Sequence, residues 1–198
     1  MTKQELRVQI KTLLCQNKDF LFEQSEKICS KIISSKDFIQ TEYIFAYMPL
    51  WDEVDIAPVI KEAFLQNKKV CIPKINLTNQ TMDFYFNEQN NQKGAYGIME
   101  PSDGAKKVDI KEVVLNTKKN ILVLVPGRVF TKSGNRLGRG KGYYDKYFSL
   151  AFENLKETIN KNKIILAGIC FDEQIVGEEV LEVSDLDIKM NKIISCHL

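Results

Sequence analysis

Leu6, Ile10, Leu13 and Leu14 recur at the spacing of one helical face, and Thr2-Lys3-Gln4-Glu5 ahead of them has the form of a capping box. A second amphipathic helix is predicted from about Phe20 to Ser35, with Ile28, Ile32 and Ile33 turned inward. The period then changes. YIFAYM (43–48) is an aromatic and β-branched run that reads as a buried strand, stopped by Pro49. After Asp55 the helical spacing returns in Ile56, Val59, Ile60, Ala63 and Phe64. KVCIP (69–73) and MDFYF (82–86) read as strands, the second alternating as a half-buried strand does. Residues 87–109 are polar, glycine-containing and without a period. ILVLVP (121–126) is the strongest buried strand, and a helix is predicted from near Tyr143 that buries Tyr147, Phe148 and Phe152. IILAGIC (164–170) and KIISC (192–196) close the series as strands.

Short apolar strands alternating with amphipathic helices predict an α/β fold: one domain over residues 1–198, three α/β/α layers, and a mainly parallel sheet. Ligands of such sheets bind beyond the carboxyl ends of the strands. The loops after Met48 and Pro126 both leave that edge, so Trp51-Asp52-Glu53-Val54-Asp55 is expected beside residues 134–145, GNRLGRGKGYYD.

Composition narrows the chemistry. The chain has 198 residues, 44% of them hydrophobic, which suffices for one sizeable core. A net charge of +2 is too balanced for a dedicated nucleic-acid binder, so the cations around residue 139 are a local device. The one histidine, His197, is penultimate, which argues against a Ser-His-Asp triad, a Cys-His dyad or a His-ligated zinc in the core. Five cysteines without a CxxC pair, and no apolar leader, lead us to expect a reduced cytoplasmic chain. No apolar run reaches membrane-span length, so no membrane partner is expected. What remains is carboxylates, cations, tyrosines, backbone amides and possible coordination of a hard metal ion.

The glycine-rich stretch fails two nucleotide-binding patterns. Gly142 follows Lys141 where a Walker A loop needs Ser or Thr, and Tyr143 breaks GxGxxG. Its ingredients nevertheless suit an anion. Gly138, Gly140 and Gly142 let backbone N–H groups approach phosphate oxygens, and the next helix directs its positive end at the same point. Arg136 and Arg139 are suited to bidentate grip, Lys141 to act as a point charge. Asp145, in the first turn, suits either Mg²⁺ beside polyphosphate or simple complementation of the helix dipole. Asp55 is placed to cap the helix it precedes, whereas Glu53 has no such duty and is a candidate for the cleft. Lys3 and Arg7, one turn apart, form either a phosphate clamp or a solvated face.

PGRVFTKSGNRLGRGKGYYDKYF (126–148) resembles the signature of the 5-formyltetrahydrofolate cyclo-ligase family, also called methenyltetrahydrofolate synthetases. KQELR (3–7), DEVD after a Tyr-Met-Pro strand exit, YGIMEP (96–101) and FDEQ (171–174) extend the resemblance over essentially the whole chain. It implies a single-domain α/β three-layer fold and ATP- and Mg²⁺-dependent closure of 5-formyltetrahydrofolate to 5,10-methenyltetrahydrofolate. It further implies ATP contacts from Lys3, Arg7 and the stretch Arg136, Leu137, Gly138, Arg139, Gly140, Lys141, Gly142, Tyr143 and Tyr144. Folate contacts fall to Met48, Glu53, Tyr96 and the stretch from Arg139 to Tyr143, the metal to Asp145 and Asp185, and catalysis to Arg139, Lys141 and Glu53. The expected unit is a monomer acting on a small folate, with no nucleic-acid partner. The sequence departs from the family at Arg128 and Thr131, where an apolar residue and an acid are usual, and at Lys189, which replaces a frequent acid.

Overall fold

Five consecutive neighbours of the central sheet run parallel, and each alternates its side chains between two apolar layers. A computed structural model of the chain describes residues 1–155, 163–182, 184 and 187–198. The strands of this sheet are β1 (Thr41–Phe45), β2 (Lys69–Asn76), β3 (Thr81–Phe86), β6 (Asn120–Pro126), β9 (Ile164–Ile169) and β11 (Lys192–Ile194). Their order is β11-β9-β6-β1-β2-β3, parallel except for β3, which returns antiparallel beside β2.

Ile44, Val70, Ile72, Leu122 and Leu124 face one layer, made by α1 (Lys3–Gln16), α2 (Lys18–Ser34), α3 (Lys36–Gln40) and α4 (Ala57–Leu65). Tyr43, Phe45, Cys71, Ile121, Val123 and Val125 face the other, made by α5 (Ile110–Asn116) and α6 (Tyr143–Asn154). The three layers are therefore those predicted.

Local signals account for most ends. Thr2 and Glu5 complete the capping box reciprocally, through Glu5 N to Thr2 Oγ1 at 3.2 Å and Thr2 N to Glu5 Oε2 at 2.8 Å. Asp55 accepts from Ala57 N at 3.0 Å, the start of the helix it was expected to cap. The second helix stops at Ser34, because Ser35 turns extended and its hydroxyl caps the separate turn of α3. Residues 87–109 carry more order than their polarity suggested: β4 (Asn91–Lys93) pairs with β5 (Met99–Pro101) as a ribbon with Tyr96 at its tip.

Two features place the site. First, β1 lies between β2 and β6, so the chain leaves β1 toward one side of the sheet and β6 toward the other. The crevice where those loops diverge is the expected ligand position. Second, a small sheet of β7 (Val129–Thr131), β8 (Arg136–Leu137) and β10 (Ile175–Val176) fixes both ends of the turn that precedes the glycines. On the far side of those glycines α6 is pinned by aromatic contacts. Tyr147 and Phe148 meet edge-on at 5.1 Å, and Tyr147 meets Phe84 of β3 at 5.1 Å. Such pairs add about 0.5–1.5 kcal/mol each beyond buried area.

Candidate active site

Gly142 has φ 68° and ψ 17°, the left-handed conformation, and ends the loop as the N-cap of α6 without any side-chain cap. Gly140 has φ 97°. Side chains rarely adopt either conformation, so the loop's path depends on glycine at these two positions. The uncapped first turn of α6 leaves its N–H groups and positive dipole end at the cavity, the arrangement that binds anions.

That cavity has a volume of about 300 Å³. One side is apolar, from Met48, Leu50, Pro73, Ile75, Met82 and Ile98; the other is cationic and polar, from Arg136, Gly138, Arg139, Lys141, Gly142 and Asp145. Tyr47, Glu53, Tyr96, Pro126, Gly127, Tyr143 and Tyr144 complete the lining. At its mouth the hydroxyls of Tyr96 and Tyr143 lie 3.3 Å apart, joining the ribbon tip to α6. Tyr96 holds φ 57°, a conformation uncommon for a residue with a side chain.

Charges converge from loops far apart in sequence. Arg139 Nε donates to Glu53 Oε1 at 2.8 Å, and its Nη2 donates to Asp52 Oδ1. Leu50 N donates to the other Glu53 oxygen at 2.9 Å, so this carboxylate is held at both ends. Arg128 Nη1 donates to Asp52 Oδ2 at 2.7 Å. Burial opposes the charge on Asp52, but Arg139 and Arg128 outweigh it and hold its pKa below the ordinary carboxylate range. Burial likewise opposes the Arg139 charge, and Glu53 with Asp52 overcomes it, holding that guanidinium above its usual value.

Arg136 differs from the expectation of a phosphate-gripping arm. Its Nη2 donates to Asp145 Oδ1 at 2.8 Å and its Nη1 to the Pro126 carbonyl at 3.2 Å, making it a buried strut beneath the loop. The reason lies in Gly138, where a Cβ would come within 2.9 Å of Arg136 Nη1. Arg136 Nε has no partner among the described residues, and its Cζ lies 5.6 Å from the Tyr144 ring centre. Tyr144 is half-buried, and loss of solvent around its hydroxyl pushes its phenol pKa up.

The remaining expected residues sort as follows. Arg7 Nε donates to the Gly138 carbonyl at 2.8 Å, so α1 braces the loop and this face is not merely solvated. Lys3 Nζ lies 3.3 Å from Asp187 Oδ2. Lys3, Arg7, Leu137 and Gly140 stand behind or beside the cavity without lining it, whereas Met48, Glu53, Tyr96, Lys141 and Tyr143 line it. Asp185 lies outside the described residues. Glu53 reaches the cleft as expected, and Asp52, which does not line it, bonds the same guanidinium. Residues 51–53 form a turn, which brings both acids to Arg139. Leu50, Ile75, Met82 and Ile98 were missed, since single apolar residues on strands and loops carry no sign of which cavity they line.

Residues 1–196 match the model of the 5-formyltetrahydrofolate cyclo-ligase family. A 5-formyltetrahydrofolate cyclo-ligase of Mus musculus is 28% identical over 195 residues, spanning 96% of this chain and 89% of that protein. A probable 5-formyltetrahydrofolate cyclo-ligase of Caenorhabditis elegans is 31% identical over 198 residues, spanning 97% and 91%. The NMR structure of Aquifex aeolicus 5,10-methenyltetrahydrofolate synthetase superposes with a TM-score of 0.74 at 26% identity, covering 98% of this chain and 89% of that one.

Proposed function

Because this chain belongs to the 5-formyltetrahydrofolate cyclo-ligase family, we infer that it uses ATP to convert 5-formyltetrahydrofolate to 5,10-methenyltetrahydrofolate. The observation that carries the reading at residue level is one cavity with an apolar wall facing a glycine-rich cationic wall, and Glu53 bonded to Arg139 between them.

The chemistry explains why these residue types are needed. A formamide carbonyl is a weak electrophile, and its oxygen cannot leave as oxide when the neighbouring N10 attacks. Transfer of the γ-phosphoryl of ATP to that oxygen leaves ADP and activates the carbon. N10 then adds to the carbon, the five-membered ring closes, N10 loses its proton, and the former formyl oxygen departs in phosphate. Phosphoryl transfer asks a protein mainly for alignment and charge neutralisation. Lys141, Arg139 and the loop amides supply these, with Lys3, Arg7 and residues 137–144 as the ATP side and Arg136 as the strut beneath them. Met48, Glu53, Tyr96 and residues 139–143 form the folate side. Glu53, fixed at both oxygens, orients or accepts the N10 proton.

The site fits a divalent cation that arrives with the phosphates. Mg²⁺ typically takes only one or two carboxylates beside phosphate and water. Among the described residues, the bonds to the cavity-lining Asp145 come from Arg136 and, at 3.3 Å, from Ile188 N, and both reach Oδ1, which leaves Oδ2 for such an ion. When bound, Mg²⁺ neutralises phosphate charge and acts as a Lewis acid. We further propose that residues 1–198 act as one domain and as a cytoplasmic monomer. The five cysteines are all unpaired, as a reducing compartment keeps them.

Mixing the protein with Mg-ATP and 5-formyltetrahydrofolate should produce methenyl absorbance, with one ADP formed per ring closed. Ring closure at full rate without ATP would sink the mechanism.

A further inference from the structure

Asp52 is 1% exposed and sends one oxygen to each of two guanidinium groups, Arg128 and Arg139. A buried carboxylate bonded to a cavity-lining arginine requires an explanation, because burial alone opposes its charge. We propose that Asp52 is a positioning residue that fixes the plane of Arg139, with Arg128 as the buried post that fixes Asp52. The proposal rests on the ring-closing reading above.

The two arginines are anchored very differently. Arg128 is 5% exposed and is tied along its backbone: its N–H donates to the Leu137 carbonyl at 2.7 Å, and its carbonyl accepts from Gln174 Nε2 at 3.2 Å. Its guanidinium therefore holds Asp52 from a rigid base. Arg139 instead stands between Gly138 and Gly140, neither of which offers a side chain to pack against. Its orientation is set by what its guanidinium bonds. Asp52 takes Nη2 and Glu53 takes Nε, and bonds from two nitrogens of a planar group to two separate acceptors fix the plane where one bond leaves it free to swing.

The charges point the same way. Two guanidinium groups and two carboxylates sum to zero, and Asp52 is the member that touches both cations. Removing its charge leaves Arg128 buried without this partner and Arg139 held by Glu53 alone. Displacing a catalytic group by about 1 Å can cost about 10²-fold in rate.

The test uses Asp52→Asn, Arg128→Met and the double variant, each assayed at saturating and limiting Mg-ATP and 5-formyltetrahydrofolate. Asp52→Asn should lower kcat by about 10²-fold with both KM values little changed, as expected for a loss confined to the transition state. Replacing both members of a buried pair by uncharged groups is often neutral for stability. The double variant should therefore regain a near-wild-type unfolding midpoint while keeping the low kcat of Asp52→Asn. A double variant that also regains kcat would show that Asp52 only balances Arg128, and would overturn the proposal. Absence of ring closure in the wild-type protein would instead refute the functional reading, and a second readout tests the positioning on its own. The ¹⁵N resonance of Arg139 Nε should be sharp and slow to exchange in the wild type and lose that protection in Asp52→Asn. An unchanged resonance would overturn the proposal.

Discussion

Glu53 and Lys141 face the same cavity in opposite conditions: the carboxylate is bonded at both oxygens, whereas the ammonium stands exposed at the loop tip. Their substitutions should fail differently. Lys141→Ala should lower turnover by about 10²–10³, the usual cost of deleting a preorganised charge at a transition state. Its stability should stay within about 0.5 kcal/mol of wild type, since the side chain is exposed. Glu53→Gln keeps the shape, so ATP should bind with little change while turnover falls. Calorimetry with each ligand beside a steady-state assay separates the two, and unaltered turnover in both variants would return the loop to a solvated surface. At this scale the sequence was legible where residue type alone limits the chemistry, as with a carboxylate lacking a capping duty or glycines beside cations. It was not legible at Asp52, because which way an acid faces is decided by the turn at residues 51–53. Nor was it legible at Arg136, where a missing Cβ two residues on lets the guanidinium fold inward.

Elements were legible in proportion to how much apolar surface they bury. β6 and β9 are covered on both faces and read as unbroken apolar runs, so both were found nearly to the residue. The helix α5 was missed: its seven residues make too few turns for a period, although Ile110, Val113 and Val114 are buried and Asp109 caps Lys111 N at 2.8 Å. The ribbon of β4 and β5 was missed because strands of three residues, Asn-Gln-Lys and Met-Glu-Pro, are too short to show an alternation. The loop-to-helix junction gives an outcome at this scale. Gly142→Ala forces a side chain into the left-handed region and should cost about 1–2 kcal/mol. Asn at the same position should cost less, because its short polar side chain tolerates that conformation. Urea unfolding of both variants measures the difference. Equal stability of the wild type and Gly142→Ala would mean that the cap relaxes to another conformation.

The whole molecule should be most stable over a broad neutral plateau. Lys69 and Thr117 hold Glu42 low, while burial opposes ionisation of Asp52, Asp172 and Asp187 and their partners outweigh it. These carboxylates bind protons less readily when folded, so their contribution is full above about pH 4–5 and is lost as pH falls through the depressed folded values. Burial raises the phenols of Tyr47, Tyr144 and Tyr147, so that contribution is full below about pH 10 and is lost as pH rises beyond it. Urea midpoints from pH 3 to pH 11 should fall at both ends, and a flat acid limb would contradict the depressed carboxylates. Strand order has a consequence for synthesis as well as for the site. Because β1 is made early yet sits between β2 and β6, Asp52 and Arg139 meet across 87 residues of chain. At a translation speed of about 5–20 residues per second, the ribosome needs roughly 4–17 s to bridge that interval. For most of it the nascent chain carries an acid whose first counter-charge, Arg128, has not yet been translated. The first half of this protein is born waiting for the second, and a premature stop ahead of the glycines would release a chain that lacks the cationic lining of the cavity.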